Sequence, residues 1–193
     1  MSTTEHDPTV VPTTHEEVER VHVDSVVLVH TGNGKGKSSS AFGVVVRALA
    51  RGWTTVAVQF IKSGDWRSGE HKLLSELGVE WRTGGDGFTW LSEDLSESEA
   101  LARDAWDATR ELLASGDADL VVLDELTYPV NWGWLDVDEV VAAIRDRAPK
   151  TNVVITGRNC PEPLIDLADT VTEMVKITHA YDRGIKARRG IDF

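Results

Sequence analysis

Short apolar runs alternate with longer amphipathic stretches over most of this chain. Four runs are strand-sized and rich in β-branched residues, at positions 26–29, 56–60, 120–123 and 153–155. Continuous apolar runs of this length are typical of parallel strands that are covered on both faces, whereas strands with one solvated face alternate in polarity. The four runs therefore predict the central strands of a parallel sheet.

The stretches between these runs predict helices. One follows a glycine-rich segment over about residues 37–51, and a second covers about residues 96–114 with an apolar face at helical spacing. A third covers about residues 136–147 and begins at Asp136, with Glu139 three residues later as in a capping box. This alternation predicts an α/β fold with a mostly parallel sheet and helices on both faces. Residues 82–95 are assigned to neither a strand nor a helix.

Length and composition bound the domain organisation. The 193 residues suffice for one domain, which we place at residues 25–193, after a polar, proline-containing arm at residues 1–24. No apolar run approaches the roughly 20 residues of a membrane helix, and the arm lacks the apolar block of a signal peptide. The single cysteine, Cys160, suits a reducing compartment. We therefore expect a cytoplasmic protein that does not enter a membrane.

The formal net charge of −12 limits the partners that we expect. Such a surface repels phosphate backbones at long range, so nucleic acid is not an expected partner. An acidic protein binds a nucleotide where it concentrates cations and backbone N–H groups. The first predicted strand leads directly into such a segment, which reads Thr31-Gly32-Asn33-Gly34-Lys35-Gly36-Lys37-Ser38-Ser39.

This segment has the form of a Walker A loop, which connects a strand to a helix and binds phosphates. Its glycines let the backbone turn N–H groups inward, Lys37 supplies a charge to phosphate oxygens, and the Ser38 hydroxyl can ligate Mg²⁺. The standard pattern begins with glycine, whereas this chain has Thr31 at that position. A chance glycine-rich turn is the alternative interpretation.

Charged residues follow two other predicted strands. Asp124 and Glu125 end the third run, as in a Walker B element that approaches Mg²⁺. Arg158 follows the fourth run, at the sheet edge where phosphate-binding side chains gather. A solvated turn for the carboxylates and a surface ion pair for Arg158 stay open. The sequence thus predicts a P-loop NTPase-like fold in which ATP contacts Gly32, Asn33, Gly34, Lys35, Gly36, Lys37, Ser38, Ser39 and Arg158, and Mg²⁺ contacts Ser38, Asp124 and Glu125.

A series of further motifs continues along the chain. They are Val58-Gln59-Phe60-Ile61-Lys62, Gly69-Glu70, Gly87-Phe88-Thr89-Trp90, Leu123-Asp124-Glu125-Leu126-Thr127-Tyr128, Ile155-Thr156-Gly157-Arg158, Asp166-Leu167-Ala168-Asp169-Thr170-Val171 and Gly190-Ile191-Asp192-Phe193. Each is weak alone, but in this order, over residues 26–193, they resemble the P-loop type of ATP:corrinoid adenosyltransferase. The chain departs from that family at Ser38, where threonine is common, and at residues 63–65, which lengthen a loop.

The resemblance implies an enzyme that transfers the 5′-deoxyadenosyl group of ATP to the Co(I) centre of a reduced corrinoid, such as cob(I)yrinic acid a,c-diamide, and releases triphosphate. This reaction belongs to cobalamin biosynthesis or salvage. The resemblance implies that Lys37, Phe88 and Trp90 are catalytic, with Phe88 and Trp90 against the corrinoid, where they keep axial ligands off the cobalt. It further implies Mg²⁺, an electron-donating reductase and a homodimer. ATP bound in the reverse sense to ordinary P-loop enzymes would rationalise Thr31.

Other interpretations of the same residues stay open. Phe88 and Trp90 are two positions apart, so without the resemblance they would be assigned to the buried side of a strand. A P-loop phosphotransferase or NTPase would use Glu125 to orient water or an acceptor and would release ADP. A nucleotide-binding regulator, in contrast, would bind ATP without turnover.

Overall fold

The computed structural model describes residues 19–61, 68–84 and 95–192. In this part of the chain six strands form one sheet: β1 (Val27–Thr31), β2 (Thr55–Gln59), β3 (Glu80–Thr83), β4 (Leu120–Asp124), β5 (Asn152–Thr156) and β6 (Thr170–Glu173). Their order is β3-β2-β4-β5-β1-β6, and each neighbouring pair is parallel. Within these ranges, six α-helices accompany the strands: α1 (Lys37–Ala50), α2 (Gly69–Glu76), α3 (Leu95–Ser115), α4 (Thr127–Asn131), α5 (Val137–Arg145) and α6 (Glu162–Leu167).

Helices cover both faces of the sheet. Alternate strand residues point to opposite faces, so one core contains Val121 and Leu123 of β4 while Val122 belongs to the other. The first core is closed by side chains of α3, α5 and α6, and the second by α1 and α2. All five residues of β2 and of β4 are buried. The predicted α/β fold of the P-loop NTPase-like type, with helices on both faces, is confirmed.

The four predicted central strands and three predicted helices are present. Asp136 caps α5 as expected, because its side chain accepts hydrogen bonds from the backbone N–H groups of Asp138 and Glu139. The structure also contains two edge strands, β3 and β6, and three helices, α2, α4 and α6, that the sequence analysis did not predict. Residues 1–18 of the expected arm and residues 85–94 of the unassigned segment lie outside the described residues.

Strand order decides which loops meet. Because all the strands are parallel, their carboxyl ends lie at one edge of the sheet. The loop after β1 lies beside the loop after β5, and the residues after β4 lie one strand further on. These are the segments that carry Lys37, Arg158 and Glu125. Within the described ranges, no helix is long and apolar enough to cross a membrane.

Candidate nucleotide-binding site

The predicted phosphate loop connects β1 to α1 and is held in shape by the residue that follows β6. The backbone N–H of Gly34 donates to the carbonyl oxygen of Met174 at 2.6 Å, and the N–H of Met174 donates to the carbonyl of Thr31 at 2.9 Å. At Gly32, φ is +92°, and an added Cβ would lie 2.6 Å from the Met174 carbonyl oxygen. Glycine is therefore required at that position by both backbone conformation and space.

Thr31, the residue that departs from the Walker A pattern, has a structural partner. Its side chain is buried, and its hydroxyl accepts a hydrogen bond from the backbone N–H of Cys160 at 3.2 Å. This contact links the start of the phosphate loop to the loop after β5. Burial raises the pKa of the neighbouring Cys160 thiol to about 11, so this cysteine stays protonated at neutral pH.

A cavity of about 270 Å³ lies against the phosphate loop. It brings together most of the predicted ATP contacts, and its lining comprises Gly34, Lys35, Gly36, Lys37, Ser38, Ser39, Phe42, Ser68, Glu70, Glu125, Tyr128, Arg158, Ile191 and Asp192. Asn33 lines a neighbouring cavity, which shares Arg158 with the first. Gly32 packs against Met174. The predicted corrinoid contacts Phe88 and Trp90 lie outside the described residues.

Lys37 is the first residue of α1 and only 7% of it is exposed. Its ammonium group donates to the carbonyl oxygen of Gly34 at 2.8 Å and so stays within the loop. Burial lowers the pKa of Lys37, Arg158 acts in the same direction, and Glu125 and Asp124 oppose them. A partly desolvated cation gains more from an approaching anion than a solvated one does. Lys37 is therefore placed to attract phosphate oxygens.

Asp124 lies beneath the cavity wall. It is fully buried, and each carboxylate oxygen accepts a hydrogen bond from a neutral side chain: Oδ2 from Gln59 at 3.0 Å and Oδ1 from Thr156 at 2.8 Å. A buried carboxylate is costly unless such donors satisfy it. Gln59, which the sequence analysis names only as part of a motif, therefore helps to hold Asp124.

Glu125 reaches the cavity itself. Its φ is +61°, a left-handed conformation that is unusual for a residue other than glycine. Such backbone strain clusters at functional sites. Tyr128, the second residue of the short helix α4, lines the same cavity; burial and the negative charge of Glu125 raise the pKa of its hydroxyl.

The cavity lining includes residues that were not predicted as site residues, among them Glu70, Tyr128 and Asp192. Lys35 forms an ion pair with Asp192, near the end of the chain, and Asp192 also accepts from the backbone N–H of Arg188 at 2.8 Å. The hydrogen bond from Lys35 lowers the pKa of Asp192. Glu70, Tyr128 and Asp192 all lie within the family motifs quoted above, but a motif does not show which of its side chains faces the nucleotide.

Fold and site together define a P-loop α/β nucleotide-binding protein. A family model described as ATP:corrinoid adenosyltransferase BtuR/CobO/CobP matches residues 24–193. The chain belongs to this family. The family resemblance noted in the sequence is thereby confirmed.

Curated relatives and a solved structure agree with this placement. The chain is 44% identical to the corrinoid adenosyltransferase of Escherichia coli, over 87% of this chain and 85% of the relative. It is 44% identical to corrinoid adenosyltransferase CobA of Salmonella typhimurium, over 87% of this chain and 85% of that protein. It is 46% identical to the corrinoid adenosyltransferase of Pseudomonas aeruginosa, over 87% of this chain and 83% of that protein. The flagellar accessory protein FlaH from Methanocaldococcus jannaschii has a similar fold, with a TM-score of 0.50 and 14% identity over 78% of this chain and 71% of FlaH.

Proposed function

We propose that this chain transfers the 5′-deoxyadenosyl group of ATP to the Co(I) centre of a reduced corrinoid at the cavity over the phosphate loop. Membership of the ATP:corrinoid adenosyltransferase family supports the reaction. The observation that supports the location is the buried Lys37 ammonium, which lies beside Arg158 at a cavity lined by the loop. Transfer, and not ATP hydrolysis, is the function that this family membership favours.

The displacement needs charge stabilisation more than acid–base catalysis. Co(I) attacks the ribose 5′ carbon, a Co–C bond forms with the electron pair of the metal, and the C–O bond to triphosphate breaks. The leaving oxygen gains negative charge, which prepositioned cations and N–H groups stabilise in the transition state. Lys37, Arg158 and the backbone N–H groups at the start of α1 serve this role. Lys35 lies at the rim, where Asp192 partly offsets its charge.

The acidic residues at the cavity fit a divalent cation. Glu70, Glu125 and Asp192 line the same cavity as the three cationic side chains, so they would repel a triphosphate unless a cation lay between the charges. Among the described residues, no three or more His, Cys, Asp or Glu side chains lie close enough together to hold a metal by themselves, so phosphate oxygens and waters would have to supply most of the ligands. Mg²⁺ suits such a site, because it keeps waters and takes ligands from phosphates and from one or two carboxylates.

We assign Mg²⁺ to Ser38, Glu125 and Asp124, the last acting directly or through water. When bound, the ion neutralises charge on the triphosphate. Ser38 provides a hydroxyl at the start of α1, and Glu125 provides a carboxylate at the cavity wall. Asp124 contributes its negative charge from beneath that wall.

Replacement of Asp124 by asparagine tests this assignment. Asparagine keeps the size of the side chain but removes its charge, and one of its side-chain positions donates where the carboxylate accepted. We expect the Mg²⁺ concentration for half-maximal transfer to rise about 10–100-fold, and Mg²⁺ to strengthen ATP binding less than in the unmodified chain, as measured by calorimetry with and without chelator. Asp119→Asn, at the opposite end of β4, is the control. An unchanged Mg²⁺ requirement in Asp124→Asn would contradict the assignment.

The corrinoid contacts and the electron source complete the proposal. Phe88 and Trp90 are proposed to cover one face of the corrin and exclude axial ligands, which eases reduction of cobalt. An electron-donating reductase is the proposed partner, because the reaction consumes Co(I). The cytoplasm is the proposed compartment, since its reducing conditions suit both Co(I) and a chain with a single cysteine.

A homodimer is also proposed, from the family resemblance. Edge strand β6 and the residues after it expose Val171, Val175 and Ile177, and apolar side chains clustered on a surface mark sites of association. Sedimentation equilibrium is expected to give twice the mass of 21.2 kDa. A monomer at every concentration used for activity would contradict this proposal.

A further inference from the structure

Three neighbouring strands end in buried polar side chains. Gln59 ends β2, Asp124 ends β4 and Thr156 ends β5. The register pairs Gln59 with Asp124, and the residues just before Asp124 and Thr156 pair with each other. All three side chains are buried. The sheet therefore forms a polar row directly beneath the nucleotide cavity, with Asp124 in the middle.

The Thr156 hydroxyl contacts both acidic residues. It donates to Oδ1 of Asp124 at 2.8 Å and accepts from the backbone N–H of Glu125 at 2.9 Å. A hydroxyl has one donor and two acceptor sites, so one oxygen atom can make both bonds at once. It thereby orients a carboxylate and fixes the peptide group of the next residue.

The hydrogen bond from the Glu125 N–H to the Thr156 hydroxyl stabilises strained backbone. The left-handed conformation of Glu125, with φ at +61°, persists only where surrounding contacts hold it. The bond from its N–H to Thr156 is such a contact. A different conformation at this residue would turn the Glu125 side chain away from the cavity that it lines.

We propose that Thr156 is a positioning residue for adenosyl transfer. Its hydroxyl sets the direction of the Asp124 carboxylate and stabilises the backbone conformation that presents Glu125 to the nucleotide. Gln59 holds the other Asp124 oxygen at 3.0 Å, so the carboxylate is fixed from two sides. The inference rests on the proposed Mg²⁺ role of the two acidic residues. Thr156 itself touches neither substrate and acts through them.

The chain offers a matched control for this residue. Thr151 precedes β5 at the opposite end of the sheet, is also fully buried, and donates through its hydroxyl to the carbonyl of Ala118 at 2.8 Å. Thr156→Val and Thr151→Val each remove one buried hydroxyl with little change in shape. Thr156→Val is expected to lose more thermal stability than Thr151→Val, because its hydroxyl makes two hydrogen bonds and that of Thr151 makes one, but both variants lose a buried hydroxyl and only the first removes a contact to the acidic residues. Thr156→Ser restores the hydroxyl.

We expect Thr156→Val to lower kcat about 10–100-fold, the usual effect of removing a group that orients a metal-binding carboxylate. Mg²⁺ should also strengthen ATP binding less in this variant than in the unmodified chain, as calorimetry with and without chelator would measure. Thr156→Ser should recover most of both properties. Thr151→Val should keep both at the level of the unmodified chain.

Two outcomes would overturn the positioning role. One is a Thr156→Val variant with unchanged kcat and an unchanged effect of Mg²⁺ on ATP affinity. The other is an equal loss in Thr156→Val and Thr151→Val, which would trace the effect to general destabilisation. If Asp124→Asn is impaired while Thr156→Val is not, the positioning role alone fails. If neither is impaired, the metal role of Asp124 on which it rests fails with it.

Discussion

Lys37→Ala is expected to lower the rate of adenosyl transfer about 10²–10³-fold, the usual effect of losing one prepositioned donor to developing negative charge. The ammonium is buried within the phosphate loop, where its pKa is lowered mainly by desolvation. Its attraction to the leaving triphosphate is therefore less screened than at the surface. Single-turnover transfer with reduced corrinoid and saturating ATP measures the effect.

Two further variants separate the charge from the packing. Lys37→Met keeps much of the side-chain volume without the charge and should lose as much activity as the alanine variant. Lys35→Ala removes the other lysine of the loop, whose side chain is 53% exposed and paired with Asp192. Because an exposed ion pair contributes little, the loss should be far smaller. Near-normal transfer by a folded Lys37→Met would contradict the assigned role.

Gly157→Ala is expected to destabilise the fold by about 2–6 kcal/mol, since overpacking and an unfavourable backbone conformation each cost about 1–3 kcal/mol. Its φ is +143°, and an added Cβ would lie 2.0 Å from the hydroxyl oxygen of Thr127. That hydroxyl donates to the carbonyl oxygen of Arg158 at 2.7 Å. Urea denaturation measures the loss, and transfer should also weaken because Arg158 shifts.

Gly52→Ala provides the control for backbone conformation. Gly52 also has a positive φ, +74°, but no atom lies within 4 Å of an added Cβ. It should cost only about 1–2 kcal/mol, the penalty of the left-handed conformation alone. Thr127→Ala combined with Gly157→Ala should recover part of the loss by making room. Equal losses in Gly157→Ala and Gly52→Ala would contradict the steric explanation.

The central strands could be predicted because they are buried on both faces. Residues 120–123 form an uninterrupted apolar run, and the structure buries all of them. The edge strands give a weaker signal: β6 reads Thr-Val-Thr-Glu, and all four of its residues are exposed. A short polar edge strand resembles a loop in sequence. This is why β3 and β6 were missed.

The site likewise contains residues that local motifs indicate and contacts that local sequence does not reveal. The phosphate loop and the acidic pair after β4 are local motifs, so the sequence indicated Lys37 and Glu125 directly. The contact of Thr156 with Asp124 depends on the register of β4 against β5, and the ion pair of Lys35 with Asp192 joins distant parts of the chain. Neither follows from local sequence, because pairing between distant segments is fixed only when the sheet forms.

The most direct test of the proposed reaction is anaerobic incubation of the protein with MgATP and chemically reduced cob(I)alamin, with identification of both the corrinoid and the phosphate products. Attack at the 5′ carbon predicts light-sensitive adenosylcobalamin and one triphosphate for each corrinoid converted. Lys37→Met, assayed beside it, should form neither product at a comparable rate. ADP and phosphate with unaltered corrinoid would contradict the transfer and would place the chain among P-loop enzymes that hydrolyse ATP.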